Sequence, residues 1–404
     1  MASLAPPPWI AYVVPFAFPE GGAGARRVLG NAQSLVAAGY DVTVISAQID
    51  RSGSDARSFA PGIRLASIGE RDAEHLPRAL KRARYVFMGS KTRDWIAAQL
   101  VPPAAVILYS GYTPFLLQLS PLCRRRSIPL LFDAVEWYTA NTALGFLTSP
   151  YLWNTELAMR ALVPRLDGVI AISSYLATYY RGRGCPVVQV PPTLNVVGLV
   201  PRLDRANPCR RVQLAYCGSA SNDMLDVVVG ALMRLDPEGR RISLEIAGPT
   251  AQDVAALASL RGFKDMPAGL KLHGRVSHDA AIAITRAADF SIFLRQVNRV
   301  SKAGFPTKFV ESLSMGTPVI TNITSDLADH LRDGENGLAC AGPGQRDVEA
   351  ALTRALDLDT NRLTAMRHAA RATAEVHFDY RTHGAALAGL LARCNALGPN
   401  LIGD

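Results

Sequence analysis

The densest chemistry in this sequence lies between Lys302 and Asn322, KAGFPTKFVESLSMGTPVITN. Gly304 and Pro306 precede an amphipathic stretch, Thr307 to Met315, that reads as a short helix; Gly316 ends it and Thr317-Pro318 open a strand. A helix N-terminus behind a glycine turn presents free N–H groups and the positive end of the helix dipole, so it attracts anions. Thr307 is placed to cap it. Lys308 in the first turn is unfavourable for the helix itself, and a bound diphosphate would offset that cost. Two of the six lysines, Lys302 and Lys308, fall within seven residues here, and Arg295 and Arg299 precede them. Glu311 lies one turn in. Such a set can hold a diphosphate with cations and N–H groups, and a ribose diol with a carboxylate. The plainer alternative is a loop–helix corner with its basic residues in solvent.

A second candidate set is FDAVEWY, Phe132 to Tyr138, directly after a strand-like run. Asp133 and Glu136 would stand at the strand's carboxyl end, where an acid can orient an acceptor hydroxyl and take its proton. The competing reading is an acid that caps the next helix. The seven histidines show no metal spacing, and the six cysteines are scattered without a CxxC pair, which argues against a zinc site and against a disulfide framework.

The elements that must position these groups are legible as a repeating pattern. Strand candidates are 9–14, 42–46, 84–88, 106–110, 130–134, 169–173 and 187–190, mostly with helical stretches between them. The loop 18–24 leads into a helix whose Val28, Leu29, Ala32, Leu35 and Val36 share one face, with Gly39 closing it. Pro191-Pro192 and PRLDRANP at 201–208 interrupt the pattern as a linker. It then restarts with strands 214–218, 244–247, 270–274, 290–294 and 318–321, and with helices from about 223, from 278 and from 307. Apolar strands alternating with crossover helices predict two doubly wound α/β halves, with ligands at the carboxyl ends of the strands.

At this point the segment resembles the nucleotide-binding signature of family-4 retaining glycosyltransferases. Gly304, Phe305, Glu311, Gly316, Thr317, Pro318, Val319 and Ile320 fall in register with its E-x7-E pattern and the strand that follows, and so does DGENG at 333–337. The resemblance implies the GT-B fold, two Rossmann-like doubly wound domains facing across a cleft. It implies an acceptor domain at 1–199, a nucleotide-sugar domain at 200–376 and a terminal helix, 377–404, crossing back to the first. It implies that Glu311 contacts the ribose. The donor would also meet Pro306, Thr307, Lys308, the glycines of the first loop (Gly21, Gly22, Gly24), Gly218, and the backbone of Gly274, Arg275 and Val276 at the nucleotide base.

Two departures stand out. The first glutamate of the pair would fall at position 303, where this chain has Ala303, and the Arg/Lys pair common after Gly218 is replaced by SASND. We expect Arg295, Arg299, Lys302 or Lys308 to supply that missing charge. The GFPTKFVES variant is similar to that of a bacterial subgroup that builds surface polysaccharides.

The 404-residue chain is 49% hydrophobic and 19% charged, with a net charge of +9. That suits a globular protein of two domains. No apolar run reaches a membrane span, and the N-terminal residues do not read as a signal peptide. Nucleic acid is not expected, since no pattern of aromatic and basic residues appears. The basic clusters at 78–84 and at Arg124 to Arg126 are either solvated faces or a docking surface for anionic lipid. The reading is a cytoplasmic transferase, peripheral on the inner face of the cell membrane. It would move a sugar from a UDP- or GDP-linked donor, with retention, to a saccharide or lipid-linked saccharide, with no metal and no cofactor. Its rivals are an inactive nucleotide-sugar-binding homologue and a sugar-nucleotide epimerase.

Overall fold

The computed structural model describes residues 6–20, 22–48, 56–70, 85–110, 113–139, 145, 147, 149–204, 211–220, 223–260, 262–263 and 265–397. Gly21, the cluster at 78–84 and the linker residues 205–208 lie outside these. The chain forms two compact units, one of residues 1–193 with 380–404 and the other of residues 194–379.

In the first unit the strands are β1 (Trp9–Val14), β2 (Asp41–Ser46), β3 (Arg57–Ala60), β4 (Ile63–Ser67), β5 (Ala105–Tyr109), β6 (Leu130–Ala134), β7 (Gly168–Ala171) and β8 (Val187–Gln189). They lie in the order β3-β4-β2-β1-β5-β6-β7-β8, parallel throughout except for the β3–β4 pair at one edge. Strands such as β1 (WIAYVV) are apolar on both faces because helices cover both sides of a parallel sheet. Helix Gly22–Ala37 turns Val28, Ala32 and Leu35 into one core with Ile10, Tyr12 and Val14. Helix Gly384–Leu397 adds Leu387, Leu390 and Leu391 to the same core, each worth about 1.5–3 kcal/mol if fully buried.

The expected strand at 84–88 does not form in its described part. Residues 86–89 are a turn ahead of helix Ser90–Ala97, and Val86 and Phe87 are exposed. The edge pair β3 and β4, absent from the expected strands, takes that place in the order. β3 hides its nature because its residues are mostly exposed.

The second unit holds β9 (Val212–Cys217), β10 (Ile242–Ala247), β11 (Leu270–Gly274), β12 (Phe290–Ile292), β13 (Val319–Asn322) and β14 (Gly337–Cys340). Their order is β11-β10-β9-β12-β13-β14, all parallel. The chain enters and leaves this unit side by side, with the Leu194 N–H donating to the Phe378 carbonyl at 2.9 Å.

Each sheet has one strand whose neighbours lead away in opposite directions. It is β1 in the first unit, between β2 and β5, and β9 in the second, between β10 and β12. A crevice opens outside the carboxyl end of such a strand. The loop and helix after β1 and the loop after β9 therefore occupy the two places where an α/β sheet binds ligands.

Candidate functional site

In the second unit the crevice begins at Gly218, just past β9. Its φ of +136° is one that side-chain-bearing residues rarely adopt. A Cβ there would lie 2.5 Å from Lys308 Cε and 3.0 Å from Nζ, so the glycine leaves the room that Lys308 fills. Gly248, at the end of β10, does the same for Gly218: with φ +119°, its Cβ would meet the Gly218 carbonyl oxygen at 2.3 Å. Gly248 is not among the expected site residues; its place directly after an apolar strand is the sequence signal for it.

Lys308 thus delivers its ammonium to the loop after β9. There it forms an ion pair with Asp223 and lies 4.7 Å from the centre of the Tyr216 ring. Asp223 is nearly buried, and its carboxylate is 2.7 Å from the Tyr216 hydroxyl. Burial and the neighbouring Asp223 charge hold that phenol well above its ordinary pKa. Glu311, one turn along helix Thr307–Ser314, faces the same strand end. The Cys217 thiol is pushed up chiefly by burial and further by the Glu311 carboxylate, against the opposing influence of Thr285 and Lys308.

Arg295 follows β12. Its backbone is clamped by Asn322, which accepts from the Arg295 N–H at 2.9 Å and donates to its carbonyl at 2.9 Å. Its backbone also bridges to Asp223. The structure therefore gathers Gly218, Asp223, Arg295, Lys308 and Glu311 around the ends of β9 and β12. Arg299 and Lys302 sit on a separate short helix, Arg299–Ala303, which is closed by an Asn298–Ser301 capping box; Lys302 is exposed on it.

Several residues of the motif do something other than expected. Thr307 is not the cap: Pro306 holds that position without a side-chain bond, and Thr307 is the first helical residue. Proline's fixed φ suits the entry to a helix, and the first-turn N–H groups are left without a side-chain partner from the cap. The Phe305 ring is buried against Phe309, Phe378 and His330, with centroids 5.8–6.2 Å away. It anchors the start of the helix, and Gly304 and Pro306 on either side are buried as well. Ala303 is fully buried. At the far edge of the sheet, Gly274 ends β11 with φ +64°, and Arg275 and Val276 are exposed. The His273 ring sits 2.6 Å from Glu245.

In the first unit Gly22 opens helix Gly22–Ala37 with φ +65°. Gly24 lets that helix approach two rings: a Cβ would lie 2.9 Å from the Tyr109 hydroxyl and 3.1 Å from the Phe16 ring. Phe16 and Tyr109 are themselves edge-to-face at 5.0 Å. Beside them Glu136, half-buried, hydrogen-bonds Tyr138, whose pKa is raised by burial and by that carboxylate. The Tyr138 ring lies 6.0 Å from Tyr151. Two ring pairs, Phe16–Tyr109 near the ends of β1 and β5 and Tyr138–Tyr151 after β6, thus accompany Glu136, which is bonded to Tyr138.

Asp133, expected to face an acceptor, has no access to one. It is 0% exposed. Its carboxylate accepts from Arg27 Nη2 at 2.6 Å and Nε at 3.0 Å, and from the Tyr12 hydroxyl at 2.6 Å. Asn31 approaches the same carboxylate at 3.4 Å. Burial opposes the Arg27 charge, but the Asp133 carboxylate overcomes it and holds the guanidinium above its ordinary pKa. Arg27 also donates to the Val190 carbonyl at 2.9 Å, so the network ties the first helix to the ends of β6 and β8. Arg27, Asn31 and Ser34 recur at i, i+4 and i+7 and are all buried. That polar stripe on an otherwise apolar helix face is the sequence signal for the network.

Among the described residues no group of three or more His, Cys, Asp or Glu side chains could hold a metal ion. Nor, among the described residues, is any helix long and apolar enough to cross a membrane.

Comparison with known proteins agrees with this division. Residues 22–193 match the glycosyl transferase 4-like domain, and residues 211–358 match glycosyl transferases group 1. No curated protein sequence matches the chain. Sucrose-phosphate synthase from Thermosynechococcus elongatus has a similar fold, with a TM-score of 0.73 at 17% identity over 96% of this chain and 100% of that one. WaaG, a glycosyltransferase involved in lipopolysaccharide biosynthesis, gives 0.65 at 16% identity over 95% and 99%. Anabaena HepE, solved with UDP-glucose, gives 0.60 at 13% identity over 95% and 99%. These likenesses establish the fold: two Rossmann-like α/β units of the GT-B type.

Proposed function

The chain belongs to the glycosyltransferases that join a glycosyltransferase 4-like domain to a group 1 domain, and on that premise we propose that it transfers a sugar from a nucleoside-diphosphate donor to a saccharide or lipid-linked saccharide. The observation that carries the donor half is Lys308 at Gly218, with Glu311 on the same helix facing the same strand end. The Lys308 ammonium and the first-turn N–H groups of helix Thr307–Ser314 would hold the diphosphate, Arg295 would add charge from the end of β12, and the Glu311 carboxylate would accept from the ribose hydroxyls. As the sugar–phosphate bond breaks, negative charge grows on the leaving diphosphate. Fixed cations and N–H groups aimed there stabilise that transition state more than the ground state. That positive charge comes from the chain's own groups, so the proposal is metal-independent. Retention of configuration and a role in polysaccharide assembly belong to the same reading. HepE's complex with UDP-glucose makes UDP-sugars the first donors to try.

The acceptor half rests on the first unit. Phe16, Tyr109, Tyr138 and Tyr151 would offer flat apolar faces for sugar rings, and Glu136 would be the acid that orients an acceptor hydroxyl. Asp133 is assigned to holding the scaffold.

A panel of UDP- and GDP-sugars scored by thermal stabilisation, followed by product mass with candidate acceptors, tests this reading. Stabilisation by one nucleotide class that is lost in Lys308→Ala is expected; no stabilisation by any member would refute it. Ala303, buried where an acid would touch the donor sugar, motivates the second reading, a homologue that binds without transferring. Stabilisation with no product from any acceptor would favour it.

A further inference from the structure

Helix Thr307–Ser314, which carries Lys308 and Glu311, has only 8 residues. A helix this short has little stability of its own, so its place depends on what holds its two ends. The last carbonyls of a helix lack partners within it, and here they are met from outside. Arg371 Nη1 donates to the Ser314 carbonyl at 2.6 Å and to the Leu199 carbonyl at 3.1 Å. The Arg202 N–H donates to the Met315 carbonyl at 3.0 Å. Gly316 lets residues 201–203 lie this close: with φ +69°, its Cβ would meet Leu203 Cδ2 at 2.9 Å and the Arg202 carbonyl oxygen at 3.2 Å. Arg371 is 8% exposed. A guanidinium at the negative end of a helix dipole is favourable, and its charge strengthens the bond to the carbonyl.

The other end is held from the same element. Arg371 lies on helix Thr360–His377, and Phe378 follows directly. Phe378 is fully buried against Phe305 and Phe309, with centroids 5.8 and 5.9 Å away. Seven residues span about 10 Å of helix, close to the length of about 12 Å for helix Thr307–Ser314. Arg371 and Phe378 are therefore spaced to meet its two ends. Arg367, one turn before Arg371 on the same face, is 0% exposed. It donates to the Ala288 carbonyl at 2.7 Å and lies 3.3 Å from Asp289, whose carboxylate also accepts from the Gln213 N–H at 3.0 Å. Gln213 and Asp289 stand at the amino ends of β9 and β12. One helix face thus ties these two strands to the helix that brings Lys308 to Gly218.

We propose that Arg371 and Phe378 are positioning residues: from opposite ends of helix Thr307–Ser314 they set where Lys308 and Glu311 stand, without touching a ligand themselves. What that placement does for donor binding rests on the transferase reading; the placement itself does not.

Hydrogen exchange on the full chain without ligand tests the placement. In Arg371→Met the amides of residues 311–316 should exchange about tenfold faster than in wild type, the effect of losing one charged hydrogen bond, with β9 and β10 changed less. Arg371→Lys, which keeps a cation for the Ser314 carbonyl, should restore most of the protection. Phe378→Leu, which loosens the opposite end, should speed the same amides. A change spread evenly over the unit would make these ordinary stability residues and overturn the proposal, as would wild-type exchange at 311–316 in either Arg371→Met or Phe378→Leu. Calorimetric titration with UDP and with GDP, well below the unfolding midpoints, tests the consequence. Arg371→Met should weaken nucleotide binding about tenfold, whereas with Lys308→Ala already in place it should weaken it about threefold or less, because it acts largely through that side chain. Equal losses in both backgrounds overturn the proposal. If neither nucleotide binds wild type, the donor reading fails and the exchange result alone decides the placement.

Discussion

Replacing Asp133 by Asn separates a structural acid from a catalytic one. The carboxylate is 0% and its partner Arg27 2% exposed, so Asp133→Asn leaves a guanidinium buried with no counter-charge. Breaking a buried pair from one side costs about 3–5 kcal/mol. For a domain of this size, 1 kcal/mol moves the midpoint by roughly 2–4 °C, so the first unit should unfold about 6–20 °C earlier by calorimetry. Arg27→Met should also destabilise, since it orphans the carboxylate and the Tyr12 hydroxyl that donates to it at 2.6 Å. The double variant should lose less than the two single losses combined, with a coupling of about 2 kcal/mol, because the second substitution removes the charge that the first left unpaired. Nucleotide affinity should stay at the wild-type value, since Gly218, Lys308 and Glu311 belong to the other unit. An Asp133→Asn protein that melts with wild type yet has lost turnover would refute the argument and return Asp133 to the acceptor chemistry.

Two further expectations concern the reacting groups. Lys308→Ala should weaken UDP or GDP binding roughly 10- to 100-fold, the range for losing a charged hydrogen bond, whereas Asp223→Asn should tighten it by freeing the ammonium from its carboxylate; calorimetric titration that found both variants unchanged would remove this pair from the donor site. Glu136→Gln should lower turnover about 100-fold or more, the usual contribution of a positioned acid or base, with little change in melting temperature or nucleotide affinity. Wild-type turnover would leave Glu136 as a partner of Tyr138 and nothing more.

Local patterns were read well from the residues because their physics is local. The run from Phe305 to Asn322 announces turn, helix and strand through glycine, proline and apolar spacing, and most strands of the two sheets sit where continuous apolar runs placed them. The reading failed where a short apolar run had a different destination. Residues 84–88 read as a buried strand, but Val86 and Phe87 face solvent. β3, with its exposed residues, looked like no strand at all.

The sequence by itself determined two doubly wound halves and the glycine turn with its lysine-bearing helix, since periodicity and backbone constraint act over a few residues. It also carried the candidates Glu136, Lys308 and Glu311. Only the tertiary structure decided their partners. Asp133 belongs to Arg27 across 106 positions of chain, and Lys308 meets Asp223 across 85. Which charge faces which is set by how the strands order themselves in the sheet. The order β2-β1-β5 and the order β10-β9-β12 put distant loops at one strand end, and burial then turned one acid into a structural anchor and left another beside the rings at the crevice.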